Sequence, residues 1–171
     1  MEDGWDSIKG LFSMHPTVSK ALLLILLIAS PWILVQGWIF VGAQDESISS
    51  MESCPEGSAN CAHLGGNANY RMDASTTILD RSMEEIRSEL TDYITEYDCE
   101  ILVEDASDSV YYVHFVEHTP FWLFPDDVLV SIEQINEGTV EIELHSQSRL
   151  GLGDMGVNPE RLERIYNQLA D

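Results

Sequence analysis

The residues of this chain best suited to chemistry fall in one C-terminal run. Ser146, Ser148, Arg149, Asp154, Asn158 and Arg161 lie close together, and the adjacent pair Asp126-Asp127 precedes them. Arg149 and Arg161 flank a loop that opens a helix, and a helix N-terminus beside guanidinium groups is a ready site for an anion. These six residues (Arg149, Asp154, Asn158, Arg161, Asp126 and Asp127) are therefore the candidate binding residues. The favoured alternative is structural: Arg149 forks onto Asp154, Asp126 or Asp127 and ties loop to sheet. Adjacent strand residues point to opposite faces, so Asp126 and Asp127 do not make an acid–base pair by themselves.

Other chemistries are weaker. Gly151, Gly153 and Gly156 spell GxGxxG, but the dinucleotide fingerprint needs a further strand and an acid about 20 residues on, which the remaining sequence does not supply. No cofactor is expected, and the glycines are read as supplying positive φ to a tight loop. His114 and His118 on one strand stand about 13 Å apart, too far for one ion. His145 lies on another strand and can meet only one of them, so no metal site is expected. A hydrolase built on the Arg149, Asp154 and His145 region, with Ser148, is the alternative function, but no nucleophile elbow marks it. Phe121-Trp122-Leu123-Phe124 reads first as a buried cap over one end of the sheet, and second as a loop for a membrane or an apolar partner.

Cys54 and Cys61 sit in a Ser-, Gly- and Asn-rich stretch, residues 43–70, that reads as a linker. Outside the cytoplasm a close pair of this kind most simply forms a disulfide; free thiols are the second reading, and a metal site would need two more thiol or imidazole ligands, of which only His63 is near. Cys99 is left odd and reads as a buried, inert thiol.

The elements that must position these groups follow from periodicity. Residues 75–79 read as a strand. Ser82 with Glu85 makes a capping box for a helix over 82–97, with Met83, Ile86, Leu90, Tyr93 and Ile94 on one face. Strands are expected at 100–104, 110–118, 127–135 and 139–145, the last two joined by a turn at Asn136-Glu137-Gly138. Val140, Ile142 and Leu144 alternate with Glu141, Glu143 and His145, which predicts one sheet face on a core and the other in water. Asn158 is the expected N-cap of a closing helix, with Pro159 at its first position. The order β-α-β-β-β-β-α defines an α+β domain over residues 71–171, a mostly antiparallel sheet with two helices on one face.

Ahead of the domain, residues 21–42 form an uncharged apolar run about 33 Å long as a helix, enough to cross a bilayer core. Lys9 and Lys20 precede it and no base follows until Arg71, so the positive-inside rule puts residues 1–20 in the cytoplasm and the rest outside. A cleaved signal peptide ending at Ala43 is the rival reading, disfavoured by the length of the run. Of the net charge of −22, residues 43–171 carry −21, from 6 bases against 27 acids. That balance excludes nucleic acid as a partner, because such binding needs clustered Lys and Arg. It also points to a salt-loving, archaeal source, where molar salt screens the self-repulsion.

The run Ser146-x-Ser148-Arg149-x-Gly151-x-x-Asp154-x-Gly156-x-Asn158-x-x-Arg161, with Phe124 to Val128 and the Cys54…Asn60-Cys61 pair, resembles the domain-of-unknown-function family numbered 1499. The resemblance implies a small α+β domain, often secreted or membrane-attached, with no established activity. Ala62-His63-Leu64 stand where the family places Ser-rich residues. The expectation is a membrane-anchored extracytoplasmic module that binds a ligand or an envelope protein without catalysis.

Overall fold

A computed structural model describes residues 16–66, 68–73 and 76–171. Residues 1–15 of the expected cytoplasmic tail and Ser75 of the expected first strand lie outside them. The chain divides into two units, Met1–Trp38 and Ile39–Asp171.

Helix α1, Pro16–Gly42, contains Pro31 and has a segment, Val18–Gly42, of mean hydropathy 2.2 in which no residue is buried. By length and composition it suits a single-pass anchor or a signal sequence.

The second unit is α+β, built on one antiparallel sheet of six strands: β1 (Cys61–Leu64), β2 (Ile78–Leu79), β3 (Glu100–Ala106), β4 (Val110–His118), β5 (Pro125–Asn136) and β6 (Thr139–Ser148). The spatial order is β1-β6-β5-β4-β3, and β2 also pairs with β6. Strands β1 and β2 occupy one row on β6, against residues 144–147 and 140–141 respectively. Helices α2 (Met83–Glu96) and α3 (Val157–Ala170) pack against each other and the sheet. Their apolar stripes meet Val113, Phe115, Val128, Val130, Ile132, Val140, Ile142 and Leu144, all closed to solvent. The expected capping box of α2 is present: Ser82 Oγ accepts from Glu85 N–H, and the Glu85 carboxylate accepts from Ser82 N–H.

Three expectations are corrected. First, residues 61–64 of the expected linker form β1, and Cys61, Ala62 and Leu64 are fully buried. Four residues fall below what periodicity can detect, and only pairing with β6 defines them. Second, the sheet face away from the helices is largely covered. His114, Leu129, Val116 and His145 are at most 1 % exposed there, because part of the segment before Cys54 runs over them. His114 Nδ1 accepts from Ile48 N–H at 3.1 Å, and Tyr112 OH donates to the Ile48 carbonyl at 2.9 Å. Third, Asn158 is not the N-cap of α3. That position falls to Gly156 at φ 93°, and Asn158 turns inward, fully buried.

Candidate functional site

The C-terminal motif residues do not converge on one cleft. The period of two sends them to both faces of the sheet, where each charged group meets a partner within the chain.

On the helix face, Asp126, Ser146 and Ser148 continue the apolar rows of β5 and β6 toward one end of the sheet. Arg161, one turn into α3, drops onto them and is 1 % exposed. Its Nη2 donates to Asp126 Oδ2 at 2.7 Å, its Nη1 donates to Asn158 Oδ1 at 2.8 Å and to Ser146 Oγ at 3.1 Å, and its Nε lies 3.1 Å from Glu117 Oε1. Glu117 also accepts from Tyr93 OH at 2.7 Å and from Arg164 Nη2 at 2.8 Å. Burial, with the Glu117 carboxylate close by, pushes the Tyr93 phenol far up, so it stays a donor. A buried charge is tolerated only with such compensation.

At the N-terminus of α3 the anion position is taken by the chain's own carboxylate. Asp154 accepts from Arg71 Nη1 and Nη2 at 2.9 and 2.7 Å, from Gly156 N–H at 2.9 Å and from Asn158 Nδ2 at 2.8 Å. Burial raises its pKa, but the Arg71 fork and these other donors outweigh burial, and the carboxyl is held below its ordinary range. The loop is further pinned by Asp154 N–H, which donates to the Ala59 carbonyl at 3.0 Å.

On the opposite face, Arg149 forks onto Asp127, with Nε to Oδ2 at 2.9 Å and Nη2 to Oδ1 at 2.7 Å, and also reaches Asp45. Of the three carboxylates weighed for Arg149, the fork takes Asp127. His114 lies 2.7 Å from Asp127 Oδ1 through Nε2. Because its Nδ1 accepts from Ile48, Nε2 carries the proton and donates. Burial pushes Asp127 up, but His114 and Arg149 prevail and hold it low.

His145, Arg149 and Asp154, the residues of the alternative enzymatic reading, thus have different partners. His145 stands beside the Cys54–Cys61 disulfide, with Nε2 3.7 Å from Cys61 Sγ, and burial beside His63 depresses its pKa to about 4. Cys99 is a free, half-buried thiol that burial pushes up to about 12, so it is inert at neutral pH. Phe121, Trp122 and Leu123 do not form the expected buried cap: they are 68, 37 and 41 % exposed.

Sequence reasoning missed Glu117, Arg71 and the meeting of His63 with His145. Glu117 carried a signal, because period two places it in the core-facing row of Tyr111, Val113 and Phe115. The other two depend on where residues 61–73 dock, which no local pattern records.

Fold and site together define a small α+β domain whose signature residues are joined in buried ion pairs, behind an apolar N-terminal helix. The chain belongs to the family described as "Protein of unknown function (DUF1499)", whose profile matches residues 43–169. No curated protein matches the chain at a significant level.

Proposed function

We propose that this chain is a single-pass membrane protein whose domain stands outside the cytoplasm and binds a protein of the cell envelope, without catalysing a reaction. The observation that carries this reading is a set of exposed apolar side chains at one end of the sheet. Phe121, Trp122 and Leu123 leave the end of β4, and Leu152 and Met155, 96 and 100 % exposed, follow the end of β6. Arg149 N–H donates to the Pro125 carbonyl at 3.3 Å, which holds the two loops at the same end. Aromatic residues and Met are the types enriched at protein interfaces. A lipid surface fits less well, because a domain of charge −21 without lysine is repelled by anionic headgroups.

In this reading Arg149, Asp154, Asn158, Arg161, Asp126 and Asp127 hold the loops in place rather than a ligand. The lysines ahead of α1 support an N-terminus inside the cytoplasm, and the disulfide suits an oxidising exterior. The acidity supports a salt-loving, archaeal source.

The test is a photo-crosslinking amino acid at Phe121 or Leu152 of the full chain in its native membrane, with Glu137 at the far hairpin as control. A discrete protein adduct from both loops, absent from Glu137 and abolished by Met155→Glu, supports the reading. Adducts to lipid alone, or an adduct unaffected by Met155→Glu, overturn it.

A further inference from the structure

The antiparallel register of β1 on β6 sets His63 opposite His145 and Cys61 opposite Gln147, on the sheet face away from the helices. Cys54 joins this group through its disulfide to Cys61. Donor atoms of Cys54, Cys61 and His145 all lie within 4.8 Å of one another, and His63 stands outside this group, beside His145. His63 Nδ1 lies 3.3 Å from His145 Nδ1, and Cys61, His63 and His145 are all nearly closed to solvent. Two sulfurs and two imidazole nitrogens form the donor set of a tetrahedral zinc site. With Zn–N bonds of 2.0–2.1 Å, two nitrogens on such an ion stand about 3.3–3.4 Å apart. The separation of the two Nδ1 atoms is already that of a ligand pair.

The surroundings agree. If His63 ligates through Nδ1, its Nε2–H is left to donate, and Glu143 Oε1 stands 3.2 Å from it. A carboxylate behind a ligating imidazole fixes its tautomer and orientation. The turn after β1 keeps that carboxylate in place. Gly65 and Gly66 have φ of 101° and 56°, and a Cβ on Gly66 would collide with the Glu143 carboxylate. An open cleft of about 340 Å³, lined in part by Met51, Cys54, His63, Tyr70 and Glu143, gives a path to the site. Cys54 is half-buried and lies outside the strands, so it is placed to move once released from Cys61.

We propose that Cys54, Cys61, His63 and His145 form a zinc site that opens when the Cys54–Cys61 disulfide is reduced. The reductant is a thiol compound. Two of its thiols give two electrons and two protons to the disulfide and leave as their own disulfide. The two cysteines then release two protons on binding Zn²⁺. Two thiolates cancel the charge of the ion, so the loaded site adds no net charge to a buried place. Thiolate and imidazole donors select zinc over calcium or magnesium. The disulfide and the metal are thus mutually exclusive ties on the same strand edge.

The experiment uses the full chain in detergent micelles, anaerobically, with Co²⁺ as the spectroscopic probe and Zn²⁺ as competitor. The phosphine-reduced protein is expected to bind one Co²⁺ per chain, with the intense visible bands of tetrahedral cobalt and a thiolate charge-transfer band. Zn²⁺ erases both, and the oxidised protein shows neither. Glu143→Gln keeps the spectrum and weakens binding about 10–100-fold. His63→Gln keeps both cysteines; its fold is checked in the oxidised state by its urea midpoint, and after reduction it loses the tetrahedral bands. An oxidised protein that binds Co²⁺ as tightly as the reduced one, a reduced protein with only weak octahedral bands, or a His63→Gln spectrum identical to the parent's overturns the proposal.

Discussion

Replacement of Arg161 by Met tests whether the motif holds the fold together. Arg161 and Asp126 are each 1 % exposed, and Glu117 is 5 % exposed. Methionine roughly matches the length of the arginine stem but carries no charge. It removes the contacts to Asp126, Glu117, Ser146 and Asn158 together. Glu117 keeps Tyr93 and Arg164, whereas Asp126 loses the cation it faces. Removing one partner of a buried ion pair costs about 3–5 kcal/mol. For a domain of this size that corresponds to a fall in Tm of roughly 10–20 °C. A pH signature separates this cause from simple loss of packing. Burial already pushes the Asp126 carboxyl up against the pull of Arg161, and without Arg161 only the Ser148 hydroxyl is left to oppose it. A carboxyl whose folded pKa lies above its unfolded value favours the folded state when protonated, and that contribution is lost as pH rises through the folded pKa. The deficit of Arg161→Met relative to the parent therefore narrows from pH 7 toward pH 4. Adding Asp126→Leu to Arg161→Met recovers part of the loss, because the stranded carboxylate is gone. Urea unfolding of the full chain in detergent, followed by tyrosine and tryptophan fluorescence, reads the parent and both variants. A cost of less than about 1 kcal/mol, or a deficit independent of pH, refutes a framework of buried charge.

Other outcomes follow from the same geometry. Arg149→Lys keeps the charge but loses the fork onto Asp127, and is expected to lower stability by about 1–2 kcal/mol, since a single ammonium cannot make the bidentate pair; an unchanged urea midpoint removes that role. Asp127 and Asp154 are both held low, so their contribution is present above the ordinary carboxylate range and is lost as pH falls through their folded pKa values. Asp154→Asn should therefore flatten the acid limb of the stability curve, and a limb as steep as the parent's would show that Asp154 does not set it. With 27 acids against 6 bases over residues 43–171, Tm is expected to rise between dilute buffer and molar KCl, and a flat or falling Tm would exclude solvent adaptation as the reason for the charge.

Much of the architecture was legible because it rests on local periodicity. The apolar run of α1, the capping box of α2 and the alternation in β6 each record a one-dimensional rule: enough length to cross a bilayer, a side chain satisfying a helix end, a period of two. Together they imply an α+β domain behind an apolar helix. The motif residues were legible as a set. Which acid would meet which arginine was not, because adjacent positions in a strand differ only in the face they take.

The tertiary structure alone decided what residues 43–73 do. Their composition is that of a flexible tether. Yet docking on β6 makes a strand of Cys61–Leu64, covers a face that alternation assigns to water, and brings Arg71 to Asp154. The physical reason is that backbone hydrogen bonds and burial supplied by a distant strand outweigh weak local preference, and neither is written in the segment that receives them. The same docking sets His63 against His145, 82 residues apart in sequence. The amino-acid sequence therefore determined the elements other than β1, the charge and the pool of ligating side chains. Only the register of β1 on β6 made neighbours of two histidines and a cysteine pair.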